Sequence, residues 1–204
     1  MEARRRILGE EHPDTLRSMH NLAVRFSEAE RRPEALRLME QVMEARRRTL
    51  GEEHPDTLQS MHGLAVHFGK ARRRSEALRL MEHVVEARRR ILGEEHPDTL
   101  RSMHNLAVYL SEAGRRPEAL RLAEQVVKAR RRTLGEEHPD TLYSMHNLAL
   151  HFSEAGRRPE ALRLMEHVVE AHRRTLGEEH PDTLHSMHSF AVHFSKAGRH
   201  LPEL

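Results

Sequence analysis

The sequence predicts an all-α solenoid of stacked antiparallel helix pairs, and three observations carry that prediction. The nonapeptide LGEEHPDTL occurs five times, at Leu8–Leu16, Leu50–Leu58, Leu92–Leu100, Leu134–Leu142 and Leu176–Leu184. Each copy starts 42 residues after the last, a period that belongs to stacked arrays rather than to one globular core. Between copies lie two stretches whose apolar residues recur at helical spacing. Finally, only 37% of the 204 residues are hydrophobic and 3% aromatic. That is lean for a single core but enough for an array in which each repeat covers only its neighbours.

Each LGEEHPDTL has the chemistry of a break between helices. Gly9 is placed to take the left-handed conformation that closes a helix. Glu10, Glu11 and Asp14 put negative charge at the positive end of the next helix dipole, and Pro13 suits a first helical turn. His12 and its equivalents His54, His96, His138 and His180 are expected to help cap that helix. The first helix runs from Asp14 to about Ala29, with Leu16, Met19, Leu22, Ala23 and Phe26 on one face. A turn EAERRP follows, which reads EAGRRP at Glu112–Pro117 and Glu154–Pro159; its glycine is a stop signal and its proline a start signal. The second helix runs from Pro33 to about Leu50, with Ala35, Leu38, Met39, Val42, Ala45 and Leu50 on one side. Its EARRR run reads as a solvated face, because glutamates interleave the arginines and Glu44 precedes Arg47 and Arg48 in the favourable helical order. The whole is one array over residues 1–204. It has a half-helix at 1–9, full repeats at about 14–51, 56–93, 98–135 and 140–177, and an unpaired first-type helix at 182–197.

Composition narrows the function. Lys and Arg total 34 against 32 Asp and Glu, a net charge of +2. With so few aromatics for base stacking, that balance argues against a nucleic-acid partner. The absence of cysteine removes disulfides and thiolate metal sites. Histidines His20, His62, His104, His146 and His188 come one per repeat, about 10 Å apart by helix packing. That is too far to share a zinc ion with bonds of about 2 Å. Only His185 and His188 are spaced to chelate, without a third ligand, so no metal or cofactor is expected. No apolar run reaches the length of a membrane span or signal-peptide core, and a cytoplasmic protein is expected. There is no Gly-rich phosphate loop, and Ser18 and His20 are two apart on different helix faces; the chain is not expected to be an enzyme.

Residues at fixed offsets then carry a resemblance. The first repeat has Met19, Leu22, Ala23 and Phe26 in one helix and Ala35 and Met39 in the next; Met61, Leu64, Ala65, Phe68, Ala77 and Met81 follow in the second. This resembles the tetratricopeptide pattern of large, Leu, small and aromatic residues followed by Ala and a large residue. The longer period, with HPDTL before the first helix, is similar to the repeats of kinesin light chains. It also resembles those of fungal and bacterial NACHT or NB-ARC receptor-like arrays. Methionine stands where tryptophan is usual, and the repeat-end proline is missing. The resemblance implies a right-handed superhelix whose first helices line a concave face that holds extended peptides or partner helices.

Opposite the apolar stripe of the first helices lies a candidate groove face. It carries Arg17, His20, Asn21 and Val24, then Gln59, His62 and Val66, then Arg101, His104, Asn105 and Val108. Tyr143, His146, Asn147 and Leu150 follow, then His185 and His188. By the resemblance, Asn21, Asn105 and Asn147 clamp a bound main chain, and an exposed amide there costs little stability to remove. Two columns change from repeat to repeat, as a tuned recognition surface would: Arg17, Gln59, Arg101, Tyr143, His185, and Arg25, His67, Tyr109, His151, His193. The expected function is a non-catalytic scaffold for a protein or peptide with acidic and apolar residues. Protonation of the histidine column near pH 6 would strengthen its hold on an acidic ligand. The alternative is a self-assembly module, associating head to tail through the uncovered face of Leu184, Met187, Phe190, Ala191 and Phe194.

Overall fold

The computed structural model describes residues 6–194, and side chains to Val192. Among the described residues there are nine α-helices from Pro13 onward, a helical segment at 6–8 that falls in the half-helix expected at 1–9, and no strand. The nine are α1 Pro13–Glu28, α2 Arg32–Leu50, α3 Pro55–Lys70, α4 Arg74–Leu92, α5 Pro97–Glu112, α6 Arg116–Leu134, α7 Pro139–Glu154, α8 Arg158–Leu176 and α9 Pro181–Phe194. Helices of 16 and 19 residues alternate from α1 to α8, as expected of paired helices with short links. The described residues are all-α, built of paired helices as expected.

The helix ends follow from local chemistry. At each first-helix N-terminus the histidine before the proline accepts at Nδ1 from the backbone N–H of the aspartate two residues on. The distances are 3.2 Å for His12, 3.2 Å for His54, 3.1 Å for His96, 3.1 Å for His138 and 3.2 Å for His180. An imidazole here does the work usually given to Ser, Thr, Asp or Asn. Each first helix ends in a Schellman pattern, with Arg31 N–H on Phe26 O at 2.8 Å and Glu30 N–H on Ser27 O at 3.2 Å in the first repeat. The residue at the pivot is left-handed in every copy: Glu30 (φ 58°), Arg72 (φ 60°), Gly114 (φ 80°) and Gly156 (φ 77°).

Second helices close differently from the sequence expectation. Gly51, Gly93, Gly135 and Gly177 have φ of 88–93° but ψ of 163–164°. That is not the left-handed helical cap; it is an extended region open essentially to glycine alone. Glycine is needed, for another conformation.

Packing divides the chain into two compact units, one ending at Tyr109 and the other beginning at Leu110. In the first, Ala23, Met39, Leu64, Phe68 and Ala77 form one cluster, and Leu16, Met19, Val42 and Ala45 another. Fully buried alanines let the helix backbones approach, and methionines fill the space beside them. In the second unit Met145, Ala149, Ala161, Met165 and Val168 have the same roles.

Polar keys join each second helix to the following first helix. Arg46 Nη1 donates to Asp56 O at 3.1 Å and Ser60 Oγ at 2.8 Å. Arg88 does so to Asp98 O and Ser102 Oγ at 3.0 and 2.8 Å, and Arg130 to Asp140 O and Ser144 Oγ at 2.8 and 2.6 Å. At the next position His172 reaches only Ser186 Oγ, at 2.8 Å. The EARRR run is therefore not wholly a solvated face. Arg88 is 2% exposed and Arg130 is buried, because the first arginine of the run turns toward the next helix.

Candidate functional site

The first-helix face separates into an open part and a packed part. Of the two variable columns, the first is exposed at every copy: Arg17, Gln59, Arg101, Tyr143 and His185. Arg17 pairs with Asp14 at 2.5 Å and Arg101 with Asp98 at 2.8 Å. Gln59 Oε1 accepts from Arg101 at 3.1 Å and from Arg88 at 2.9 Å. Tyr143 is 58% exposed.

The second variable column is mostly packing. Arg25 is exposed, His67 and Tyr109 are half-buried and His151 is buried, while the side chain of His193 lies outside the described residues. Tyr109 sits over Gly69, where an added Cβ would stand 2.8 Å from the ring, and its hydroxyl donates to Ala65 O at 3.3 Å. The unusual glycine and the unusual tyrosine thus accommodate each other. At Gly69 and Tyr109 the variation is a matter of fit between repeats. A pairing of two odd residues 40 positions apart was the available signal.

The histidine column is not uniformly open. His62 and His104 are buried, His20 and His146 half-buried and His188 exposed. His62 is fixed at both nitrogens, Nδ1 to Ser102 Oγ at 3.0 Å and Nε2 to Asn105 Nδ2 at 3.3 Å. Since the Asn105 amide donates, Nε2 accepts and the ring proton sits on Nδ1. The Ser102 hydroxyl then accepts from His62 and Arg88 and donates to Asp98 O at 3.0 Å, a closed network. Burial, helped by Arg88 and Arg101, pushes His62 down to about 4. Burial and then Arg46 also lower His20. The expected charging of this column near pH 6 therefore fails at His62, which stays neutral there.

The asparagines differ among themselves. Asn21 is exposed. Asn105 is half-buried and holds His62, so its removal costs more than the loss of an exposed amide. Asn147 donates to Tyr143 O on its own helix at 2.9 Å. Val24 is 37% exposed, while Val66, Val108 and Leu150 are half-buried. His185 stacks on His146 with ring centroids 5.5 Å apart, and Ser189 Oγ lies 3.3 Å from His146 Nε2. On the face expected to self-associate, Leu184 is 53% exposed and Phe190 half-buried; the Phe194 side chain lies outside the described residues.

The turn arginines form corner clips that sequence reasoning missed. Arg31, Arg73 and Arg157 lie over Phe26, Phe68 and Phe152 at 4.3, 4.2 and 4.4 Å from the ring centroids. Each also bonds the glutamate three residues on, as Arg31 does Glu34 at 2.9 Å. Those hydrogen bonds, with the one from Arg115 to Glu118 at 2.8 Å, hold Glu34, Glu76, Glu118 and Glu160 below the usual carboxylate range.

Among the described residues no three His, Asp or Glu side chains converge as metal ligands. None of the described helices is long and apolar enough to cross a membrane.

The tetratricopeptide repeat family model matches the chain at residues 15–56, 57–98, 99–140 and 141–182. No curated protein matches it. Among solved structures it is similar to a Podosopora anserina protein described as a kinesin light chain with nearly identical TPR-like repeats. The identity is 40% over 92% of this chain and 89% of that chain, with a TM-score of 0.80. A point variant of that protein matches at 40% identity over 91% and 88%, with a TM-score of 0.81. BtubC (BKLC) from P. vanneervenii, 20% identical over 83% of this chain and 68% of that one, shares the fold at a TM-score of 0.72. Four abutting matches, in the register of the helix pairs, carry the assignment: the chain belongs to the tetratricopeptide repeat family, in its kinesin-light-chain-like form.

Proposed function

We propose that the chain is a non-catalytic scaffold that binds an extended or helical peptide segment along the open face of its first helices. Tetratricopeptide repeats in general mediate protein–protein interaction, and this chain shares that scaffold. The observation that supports the finer reading is the first variable column, exposed at every copy, while in the first four copies the neighbouring Leu16, Leu58, Leu100 and Leu142 are buried. Residues that change freely in the open, above a constant core, are free to be tuned to a ligand. In the first unit Arg17, Asn21, Val24, Gln59, Val66 and Arg101 offer cations, amides and apolar contacts. In the second, Tyr143, Asn147, Leu150, His185 and His188 offer an aromatic anchor and polar groups. An acidic segment with a few apolar side chains suits the first set.

Selection from a displayed random-peptide library would test this. Selected peptides should lose about tenfold or more in affinity when Arg17 and Arg101 become Glu, or when Tyr143 becomes Ala. Affinities indifferent to all three changes would place binding elsewhere.

A further inference from the structure

We propose a second site, for an acidic peptide segment, at the edge of the first unit where α2 passes the α3–α4 turn. Of its lining only Lys70, the last residue of α3, belongs to a first helix, and none of it is among the residues proposed above for peptide binding. An open groove of about 560 Å³ lies there. Its charged lining is Arg32, Arg37, Lys70, Arg72 and Arg73 against the single carboxylate of Glu40, and its floor is Pro33, Leu36 and Ala71. Glu40 is engaged by Arg73, which also bonds Glu76. Arg32, Lys70 and Arg72 are exposed and make no ion pair among the described residues. The groove thus presents uncompensated cations around an apolar strip.

The repeats themselves provide the comparison. Three other turns read Glu28-Ala29-Glu30, Glu112-Ala113-Gly114 and Glu154-Ala155-Gly156, and the fifth copy has Lys196-Ala197-Gly198; only the second, Lys70-Ala71-Arg72, carries two cations. Against the first, third and fourth turns lysine replaces glutamate, and against all four arginine replaces glutamate or glycine. Arg72 holds φ 60°, where two sister turns use glycine, so the cation sits at a position that disfavours side chains. At the equivalent positions of the second unit, Arg116, Arg121 and Arg157 face Glu124 and Glu154, and the excess charge is almost gone.

The chemistry favours a peptide over a nucleic acid. Carboxylates meet the cations, and one or two apolar side chains cover Pro33, Leu36 and Ala71. A sugar–phosphate backbone has nothing apolar to place there, and the nearby Phe68 ring is already covered by Arg73.

Anisotropy with a fluorescein-labelled dodecapeptide of glutamate pairs alternating with leucine tests the site on the full chain at low salt. Binding should weaken with added salt and fall about tenfold in the Lys70→Glu/Arg72→Gly variant. That variant carries the residues of the sister turns and is expected to fold, which circular dichroism checks. A peptide with serine for leucine should bind more weakly. Undiminished binding to Lys70→Glu/Arg72→Gly, or no binding by the wild type, would overturn the proposal. So would loss only with Arg17→Glu/Arg101→Glu, which moves the peptide to the first-helix surface. Tighter binding of a single-stranded DNA of the same length would reassign the groove to nucleic acid.

Discussion

His62 is 6% exposed and bonded at both ring nitrogens, so protonating it adds a charge beside Arg88 where water does not reach. Its folded pKa of about 4 lies below the ordinary 6.5. Between those values the unfolded chain takes up a proton that the folded chain refuses. The stabilisation is complete above pH 6.5 and is lost as pH falls toward 4, by up to about 3 kcal/mol from this residue. Burial lowers His20, His67, His151 and His172 in the same direction. Urea denaturation at pH 7.5 and 5 should show His62→Gln losing about 2 kcal/mol less than the wild type over that interval. Equal losses would exonerate the ring. The capping histidines were legible in the sequence, because cap and helix are neighbours in the chain. The bond between His62 and Asn105 was not, since it joins different repeats and no single-helix periodicity encodes it.

All four first-helix corners end in the same hydrogen-bond pattern around a left-handed pivot, yet two pivots are Glu30 and Arg72. A side chain there costs about 1–2 kcal/mol of backbone strain, partly offset because glycine gives the unfolded chain more freedom. Glu30→Gly and Arg72→Gly should therefore each stabilise by about 0.5–1 kcal/mol, and chemical denaturation of the single variants would measure it. No gain at either site would mean that the Arg31–Phe26 and Arg73–Phe68 contacts have already relaxed the turn. Sequence signals located these corners to within a residue or two, since proline and glycine punctuate locally. They did not show that the arginine after the pivot folds back on the helix it has just left.

Over the whole molecule, helices and period were readable from sequence, while the keys between repeats were not. Three adjacent arginines look alike in a string, and only the arrangement of neighbouring helices turns Arg46, Arg88 and Arg130 inward. Repeat stability is nearly a sum of units and interfaces, so a weak key should have a local effect. The α8–α9 contact has His172 where the others have arginine, and makes one bond to Ser186 in place of two. His172→Arg should let the side chain reach Asp182 O as well. Amides of α9 should then exchange about fivefold more slowly, equivalent to about 1 kcal/mol, with α1 to α3 unchanged. Unaltered exchange in α9 would show that the key does not limit its docking.

The glycines that close the second helices have one more implication. Nothing lies within 4 Å of where a Cβ would stand at Gly51, Gly93, Gly135 or Gly177, so space does not forbid a side chain there. Handedness does. With φ near +90° and ψ near +163°, the backbone is the mirror image of an ordinary extended residue. A D-alanine introduced by chemical synthesis meets no strain at these links, while an L-alanine is forced out of its allowed region. Each repeat thus contains one residue whose natural enantiomer would have been the wrong one, and glycine fills it because it has no enantiomer.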